Sequence, residues 1–214
     1  MISHEEHLRK YRVAPEGVSA TERQSSAPVE AGIPAVDLSA YDASWYKPGG
    51  AVKRFVWYFC NAFFIGSRLP FPSRLKCALL RVFGAEIGRG VVIKPKVNIK
   101  YPWFLMVGDN VWIGEEVWID NLARVEIGSN ACLSQGAYLL TGNHNYKLPT
   151  FDLMTQPITI EAGVWVGAKA IVCPGVKLRS HSMITVGSVI QTDTQPFMIY
   201  TGNPALPARR RNFS

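Results

Sequence analysis

The chain contains little of what disulfide-rich and metal-binding proteins need. Its 214 residues include four cysteines without any C-x-x-C pair: Cys60, Cys77, Cys132 and Cys173. This spacing indicates neither a zinc ribbon nor a disulfide framework, and it favours buried free thiols in a reducing compartment. A zinc hydratase needs three histidines around one metal, whereas only His144 and His181 lie beyond the N-terminal region. We therefore expect no metal.

A signal peptide is not expected either. Residues 1–30 begin without the basic-then-apolar profile of a signal peptide. The Ser, Ala, Glu and Pro content of residues 1–34 predicts a flexible N-terminal tail. The apolar run 55–65 is too short to cross a bilayer. We expect a cytoplasmic protein, and association with the inner face of the membrane stays open.

The formal net charge of +7 is not accompanied by any nucleic-acid-binding motif. The sequence has no helix-turn-helix, zinc-finger or RNA-binding signature, so we expect no nucleic-acid partner. A basic surface can instead meet a phosphate-bearing ligand or an anionic membrane, or simply be solvated.

The main positive feature is an aliphatic residue at every sixth position between Ile87 and Ile190. The longest unbroken run comprises Ile160, Val166, Val172, Leu178, Ile184 and Ile190. No helical period equals six, whereas three short strands per turn with tight corners give this period. One such repeat cannot bury its apolar face alone, so the period predicts a stacked all-β solenoid, the hexapeptide parallel β-helix, over residues 85–195.

Three interruptions break this period. The segment Lys100–Met106 separates two runs, two extra residues lie between Ile119 and Ile127, and a long loop is expected at 142–157. Loops that leave a rigid solenoid are where binding groups concentrate, so 142–157 is the candidate active-site loop. Residues 196–214 are predicted to form a basic C-terminal tail.

Residues 35–84 are rich in aromatic side chains and predict a helical cap. Helical spacing relates Val52, Phe55, Val56, Phe59 and Phe63, and a second helix is expected from Ser73 to about Phe83. The favoured interpretation is a pair of helices packed over the open end of the solenoid. The alternative is a peripheral membrane contact through 52–83, and the two can coexist.

His144 is the strongest candidate for chemistry, because it lies where the repeat gives way to the long loop. An imidazole can act as a general base near neutral pH. Either Asp152 or a backbone carbonyl could orient it. His181 is predicted to be an exposed corner residue.

Several stretches together resemble the hexapeptide-repeat O-acetyltransferases, and most specifically the colanic acid biosynthesis acetyltransferases. They are IGEEVWIDN, VEIGSNACLSQGAYLLTGNH, PITIEAGVWVGAKAIVCPGVKL and GNPA, with LSAYDASWYKPGG and IKYPWFLMVGDNVWIGE upstream. The resemblance covers about residues 37–211. It implies a left-handed coil, which spacing alone does not give, and a homotrimer with active sites between neighbouring subunits. It also implies acetyl-CoA as co-substrate.

The same resemblance suggests roles for individual residues. His144 would deprotonate a sugar hydroxyl that attacks the thioester directly, without an acyl-enzyme. Trp165, Gly167, Ala168 and Gly187 would line the acetyl and pantetheine arm. Arg209 or Arg210 would meet the phosphates of coenzyme A.

The acceptor is expected to be a small-molecule or lipid-linked sugar of an exopolysaccharide or cell-surface glycan precursor. Asp120, Asn121 and Asn143 are candidate contacts to its hydroxyl groups, although corner hydrogen bonding by such side chains is an equal alternative.

Two other functions stay open. One is acetylation of a small amine or serine, and the other is a non-catalytic trimeric β-helix scaffold.

Overall fold

The computed structural model describes residues 35–213 of the chain. The tail predicted at 1–34 lies outside the described residues. Short helical segments come first, and the strands follow. The helical segments are a 3₁₀ turn (Leu38–Ala40), helix α1 (Ala51–Cys60) with a π-helical continuation (Asn61–Ile65), helix α2 (Ser73–Val82) and a second 3₁₀ turn (Pro102–Phe104).

The strands stack into three parallel sheets, which form the faces of a solenoid. The first face contains β1 (Glu86–Ile87), β4 (Leu105–Val107), β7 (Val125–Ile127), β12 (Ile158–Ile160) and β15 (Lys177–Leu178). The second contains β2 (Val92–Ile93), β5 (Trp112–Ile113), β8 (Cys132–Leu133), β13 (Trp165–Val166), β16 (Met183–Ile184), β18 (Met198–Gly202) and β19 (Ala205–Arg210). The third contains β3 (Asn98–Ile99), β6 (Trp118–Asp120), β9 (Tyr138–Leu140), β14 (Ile171–Val172) and β17 (Val189–Ile190).

The register between coils follows the repeat. Trp165 pairs with Met183, which is 18 positions later and equals three hexapeptides. In the first coils the step is 20 positions, as from Trp112 to Cys132. Around the long loop it is 33 positions, as from Cys132 to Trp165. The extra residues therefore leave the solenoid at its corners without disturbing the stacking.

The core is formed by the aliphatic residues of the six-residue period. Ile113, Leu139, Val166 and Ile184 are all at most 1% exposed. Each stacks on the equivalent residue of the next coil, so truncating Leu139 to Ala should cost about 2–5 kcal/mol of stability. The predicted insertion Lys100–Met106 is shorter than expected, because Leu105 and Met106 already belong to β4 and pair with β7.

The helical segments cover the first coil, whose strand edges would otherwise be left without hydrogen-bond partners. Trp57 donates from its indole nitrogen to the Ile99 carbonyl at 2.9 Å. Lys76, which is fully buried, donates from Nζ to the Lys94 carbonyl at 2.9 Å. Arg81 donates to the Ile87 carbonyl. The cap interpretation is thereby supported by specific contacts.

The apolar stripe of α1 does not make this contact. Its residues face away from the solenoid, with an exposed fraction of 78% for Val52, and Phe63 in the π-helical continuation is 70% exposed. The residues that pack are instead Trp57, Ile65, Cys77 and Leu80. Helical spacing identified an amphipathic helix correctly, but the end of the solenoid is a polar backbone edge. The indole of Trp57 and the ammonium group of Lys76 donate hydrogen bonds to the free carbonyl groups of that edge, which apolar side chains cannot do.

Positive charge is concentrated in this cap. Residues 43–85 contain seven lysines and arginines and no aspartate or glutamate, which equals the whole net charge of +7. The other 16 basic residues are balanced by 16 acidic ones. No helix within residues 35–213 is long and apolar enough to cross a membrane.

The C-terminal segment differs from the tail predicted at 196–214. Strand β18 adds to the second face beside β16, and β19 folds back on it antiparallel. Tyr200 in β18 is only 4% exposed and covers the last coil. The six-residue period ends at Ile190, so the sequence pattern carries no signal for this hairpin.

Candidate active site

The long insertion forms a β-hairpin that leaves the corner between the third and first faces. Its strands are β10 (Gly142–His144) and β11 (Leu153–Thr155), with His144 opposite Leu153. Gly142 lies at its base, where an added Cβ would be 2.6 Å from Leu122 Cδ1, so the Leu122 side chain would have to shift to admit one. The hairpin carries His144 at the outer end of β10.

His144 is held by its neighbour across the hairpin. Its Nδ1 lies 2.9 Å from the backbone carbonyl oxygen of Phe151, and its ring stacks on the Phe151 ring with centroids 4.4 Å apart. A carbonyl can only accept, so Nδ1 carries the proton and the lone pair of Nε2 is left for a substrate. Of the two candidates for orienting His144, the structure shows the carbonyl. The backbone of Asp152 accepts instead from Asn145 N at 2.8 Å.

Phe151 adopts an unusual backbone conformation to do this. Its φ is +53°, in the left-handed region that is rare for residues other than glycine. Hydrogen bonds on either side hold it, including Phe151 N to the Leu148 carbonyl at 3.0 Å. Asn110 and Lys169 have similar φ values at corners of the solenoid, so this conformation is a regular feature of tight turns in this fold. No motif in the sequence pointed to Phe151.

A segment before the cap, residues 37–50, lies against the hairpin; we call it the strap. Asp37 N donates to the Pro149 carbonyl at 2.9 Å, and the Tyr41 ring lies 5.9 Å from the His144 ring. Further along, the Tyr46 hydroxyl donates to the Leu122 carbonyl at 2.7 Å. Burial, with the nearby Tyr101 and Asp120, raises the pKa of Tyr46, which therefore stays a neutral donor.

The residues expected to line the thioester arm lie at a different corner, between the second and third faces. Trp165 donates from Nε1 to Ser134 Oγ at 2.8 Å, which fixes its ring on the surface. A Cβ on Gly167 would lie 2.6 Å from the Ile184 carbonyl oxygen. Gly187 N donates to the Ala168 carbonyl at 2.9 Å, and open space surrounds the position of a Gly187 Cβ. The backbones of successive coils lie close together at this corner, and Val186 there is 71% exposed. This corner is the candidate channel for the thioester arm.

The terminal arginines differ from one another. Arg209 and Arg210 lie exposed on β19, and neither forms an ion pair or side-chain hydrogen bond within residues 35–213. Arg211 instead donates to the Gly163 and His181 carbonyls and lies over the Phe213 ring. His181 stacks on Phe197 at a corner, remote in the fold from the His144 hairpin. Arg209 and Arg210 are thus the two free to meet an anion.

The three candidate acceptor residues have different environments. The Asn121 amide is fully buried and bonds Tyr101 N at 2.9 Å and Tyr101 O at 2.6 Å, which corresponds to the corner-bonding alternative. Asn143 is exposed, and its Oδ1 accepts from His144 N at 2.8 Å. Asp120 is only 9% exposed, and Lys100 Nζ lies 3.4 Å from its Oδ1. Within the described chain, that oxygen has no hydrogen-bond donor.

One chain alone does not bring all these groups together. Trp165, Gly167 and Gly187 lie at the corner between the second and third faces, whereas His144 leaves the corner between the third and first faces. The third face separates the two corners.

Among residues 35–213, no cluster of His, Cys, Asp or Glu is placed to hold a metal ion.

No protein-family model matches the chain. A protein of Escherichia coli (strain K12) with the name "Putative colanic acid biosynthesis acetyltransferase WcaF" is 33% identical over 176 residues, which cover 82% of this chain and 97% of that protein. The chain belongs to the hexapeptide-repeat acetyltransferases. The galactoside O-acetyltransferase of the same organism is 27% identical over 138 residues, covering 63% of this chain and 68% of that enzyme.

The solved structures confirm the fold of this acetyltransferase. A hexapeptide-repeat acetyltransferase from Vibrio cholerae O1 biovar eltor, solved with acetyl coenzyme A, superimposes with a TM-score of 0.70 at 20% identity. The match covers 78% of this chain and 93% of that chain. The predicted left-handed parallel β-helix with helical cap and protruding loop is confirmed. Membership of an acetyltransferase family also favours an enzyme over the scaffold alternative.

Proposed function

We propose that this acetyltransferase transfers an acetyl group from acetyl-CoA to a hydroxyl group of a sugar in an exopolysaccharide or cell-surface glycan precursor. The observation that carries the proposal is the Nδ1–carbonyl bond between His144 and Phe151, at 2.9 Å, which leaves Nε2 as a base. The family relatives include sugar O-acetyltransferases, which supports a hydroxyl acceptor over an amine.

The proposed reaction is a direct transfer. His144 Nε2 removes the hydroxyl proton as the sugar oxygen attacks the thioester carbonyl carbon. The tetrahedral intermediate then collapses, the carbon–sulfur bond breaks, and the imidazolium returns the proton to the departing thiolate. No thiol of the protein takes part. Burial raises the pKa of both Cys132 and Cys173, so these thiols are poor nucleophiles near neutral pH.

The channel at the corner of Gly167 and Gly187 is proposed to hold the pantetheine arm. A chain lying there would run past the exposed Trp165 ring, and Ala168 is joined to Gly187 of the next coil by the bond from Gly187 N to the Ala168 carbonyl. Arg209 and Arg210 would meet the phosphates of coenzyme A as guanidinium forks.

The separation of the two corners supports a homotrimer. Threefold symmetry can place the hairpin of one subunit beside the channel of the next, which completes a site that one chain lacks. Trp112 on the second face, which is 62% exposed, provides apolar surface for such contacts.

We also propose that the enzyme works in the cytoplasm at the inner face of the membrane, with 52–83 in contact with lipid. The exposed apolar stripe of α1 is flanked by Lys53 and Arg54 and lies in a segment without acidic residues. That combination fits an anionic bilayer surface. A threefold axis would put all three caps at the same end, where one flat surface can engage them together.

The catalytic proposal is tested by comparing His144→Ala with His181→Ala. Loss of a general base should lower kcat by about 10²–10⁴-fold, measured as thiol release from acetyl-CoA in the presence of acceptor glycans. His181→Ala should keep wild-type turnover, since its ring stacks at another corner. Acetyl-CoA should still raise the melting temperature of His144→Ala. Equal turnover in both variants would remove His144 from the reaction.

The membrane contact is tested by flotation with anionic and with neutral vesicles. Phe55→Ser/Phe63→Ser should weaken binding to anionic vesicles by about 10–100-fold, because each ring no longer enters the bilayer. Leu38→Ser/Leu206→Ser removes two side chains of similar exposure elsewhere and should bind like wild type. If the two double variants float equally, α1 is not the membrane contact.

A further inference from the structure

A cleft lies between α1 and the third face, at the first two coils of the solenoid. Its volume is about 400 Å³, and its walls include Arg54 and Tyr58 from α1 and Asn98, Lys100 and Trp118 from the solenoid. Residues of β3 and β6 form its floor. It is separate from the channel at Gly167, which lies at another corner.

The lining of this cleft is cationic. Neither an aspartate nor a glutamate is among its walls. Arg54 makes no ion pair or side-chain hydrogen bond within residues 35–213, and it also borders an adjoining cavity that contains Lys47. Two positive side chains, Arg54 and Lys100, therefore line the cleft itself, and Lys47 lines the adjoining cavity. Lys100 Nζ lies 3.4 Å from the Asp120 carboxylate, whereas Arg54 has no such counter-charge among the described residues.

The rest of the wall suits a sugar joined to that anion. The indole of Trp118 stacks on the Tyr138 ring with centroids 5.0 Å apart and stays 43% exposed, so it offers a flat apolar surface. Asn61 donates to Asn98 Oδ1 at 2.8 Å, which fixes the Asn98 side chain. The Asn98 amide nitrogen makes no bond within the described residues and is available as a donor to a ligand.

The cleft is connected to His144 along the chain and across the rungs. Asp120 pairs with Leu140, and the hairpin that carries His144 begins two residues later. Adjacent rungs are about 4.8 Å apart, so the cleft at the first two rungs lies on the order of 10–15 Å from the hairpin base. The strap joins the two places, with Tyr41 beside the His144 ring and Gly50 at the start of α1.

We propose that this cleft binds the phosphate or diphosphate group of the acceptor, so that the substrate is a glycosyl phosphate ester and not a neutral sugar. The inference rests on the proposed function and identifies its acceptor class. Arg54 and Lys100 bind the phosphate oxygens with Lys47 beside them, Trp118 supports a sugar ring, and the reacting hydroxyl extends to Nε2 of His144. Arg209 and Arg210 form a second, separate anion site for coenzyme A.

Binding is tested with inorganic pyrophosphate as the probe, measured by calorimetry. Arg54→Gln should weaken pyrophosphate binding at least tenfold, whereas Arg74→Gln, an exposed cap arginine outside the cleft, should leave it unchanged. Arg209→Gln/Arg210→Gln should weaken coenzyme A binding and keep the pyrophosphate site. Unchanged pyrophosphate affinity in Arg54→Gln, with its melting temperature preserved, would overturn the proposal.

Turnover gives the second readout. With a sugar 1-phosphate, Arg54→Gln should raise KM about tenfold with kcat unchanged, and with the methyl glycoside of the same sugar it should match wild type. A nucleoside diphosphate sugar and a polyprenyl diphosphate sugar in micelles then distinguish the two sources of the diphosphate by their kcat/KM. Equal KM values for phosphate and methyl glycoside in the wild type would count against the cleft. A different result would separate the two proposals. If His144→Ala kept full transferase activity while Arg54→Gln lost pyrophosphate binding, the catalytic role of His144 would be rejected and the cleft would stand.

Discussion

Single residues in this enzyme owe their roles to backbone groups as much as to side chains. The proton on His144 Nδ1 is fixed by the Phe151 carbonyl at 2.9 Å, and that carbonyl is placed by a left-handed backbone with φ +53°. A carbonyl oxygen can only accept a hydrogen bond, so it fixes the tautomer of the neutral imidazole. An aspartate in the same place would also stabilise the imidazolium. The carbonyl therefore orients the imidazole.

The two glycines of the proposed thioester channel should respond differently to alanine. A Gly167 Cβ would meet backbone atoms at 2.6 and 2.7 Å, so Gly167→Ala should destabilise the fold by about 1–3 kcal/mol. Gly187 has φ +67° and open space, so Gly187→Ala should cost about 1 kcal/mol and mainly raise the KM for acetyl-CoA. Urea unfolding and steady-state kinetics measure both. A Gly187→Ala enzyme with normal KM would place the pantetheine arm elsewhere.

Tyr46 should make stability sensitive to alkaline pH. Because its folded-state pKa is raised, its contribution is fully present below the usual tyrosine pKa of about 10 and is lost as pH rises above that value. Tyr46→Phe should therefore lose less stability than wild type between about pH 9 and about pH 11, in urea unfolding. The exposed Tyr146→Phe is the control. Parallel curves for all three proteins would contradict the assignment.

At the scale of elements, the hairpin β10–β11 is an insertion whose two ends already touch. Gln156 N donates to the Thr141 carbonyl at 2.9 Å, and the coil that carries the hairpin steps 33 positions where a plain coil steps 18. The solenoid therefore does not depend on these residues for its stacking.

Deleting residues 142–156 should leave a folded solenoid without transferase activity. The deletion removes 15 residues, so the step of 33 becomes the regular 18. We expect a β-type circular dichroism spectrum, a melting temperature within a few degrees of wild type, and turnover as low as that of His144→Ala. Acetyl-CoA binding by thermal shift should persist. Unfolding of the deletion variant would show that the hairpin also supports the coils.

The elements that sequence could predict are those with a period. In the run from Ile160 to Ile190 the aliphatic residue recurs at every sixth position. Because each of these residues indicates the same buried position, the predicted solenoid does not depend on any one of them. The break after Leu139 located His144 by the same logic. No repeated pattern in the sequence indicates the contact of the Phe151 carbonyl or the outward direction of the apolar stripe of α1. Each depends on one contact made in three dimensions, and the hairpin β18–β19 lies beyond the last repeat.

At the scale of the whole molecule, the active site should form only between subunits. His144→Ala and Gly187→Leu should each be inactive as homotrimers, but trimers that contain both should recover about one third of wild-type activity. In any mixed trimer, one of its three interfaces pairs an intact hairpin with an intact channel. Mixed trimers purified through two different tags give the measurement. Complete inactivity would mean that both halves of each site come from one chain.

The placement of charge in the cap also affects how fast the enzyme meets its substrates. All of the net +7 arises from 43–85, next to the proposed acceptor cleft, while Arg209 and Arg210 stand at the other end of nearly neutral coils. Electrostatic steering acts within a Debye length of about 10 Å at 0.1 M ionic strength, so each end would guide a different anion to its own entrance. Added salt should slow both encounters and leave the rate of the buried chemical step almost unchanged.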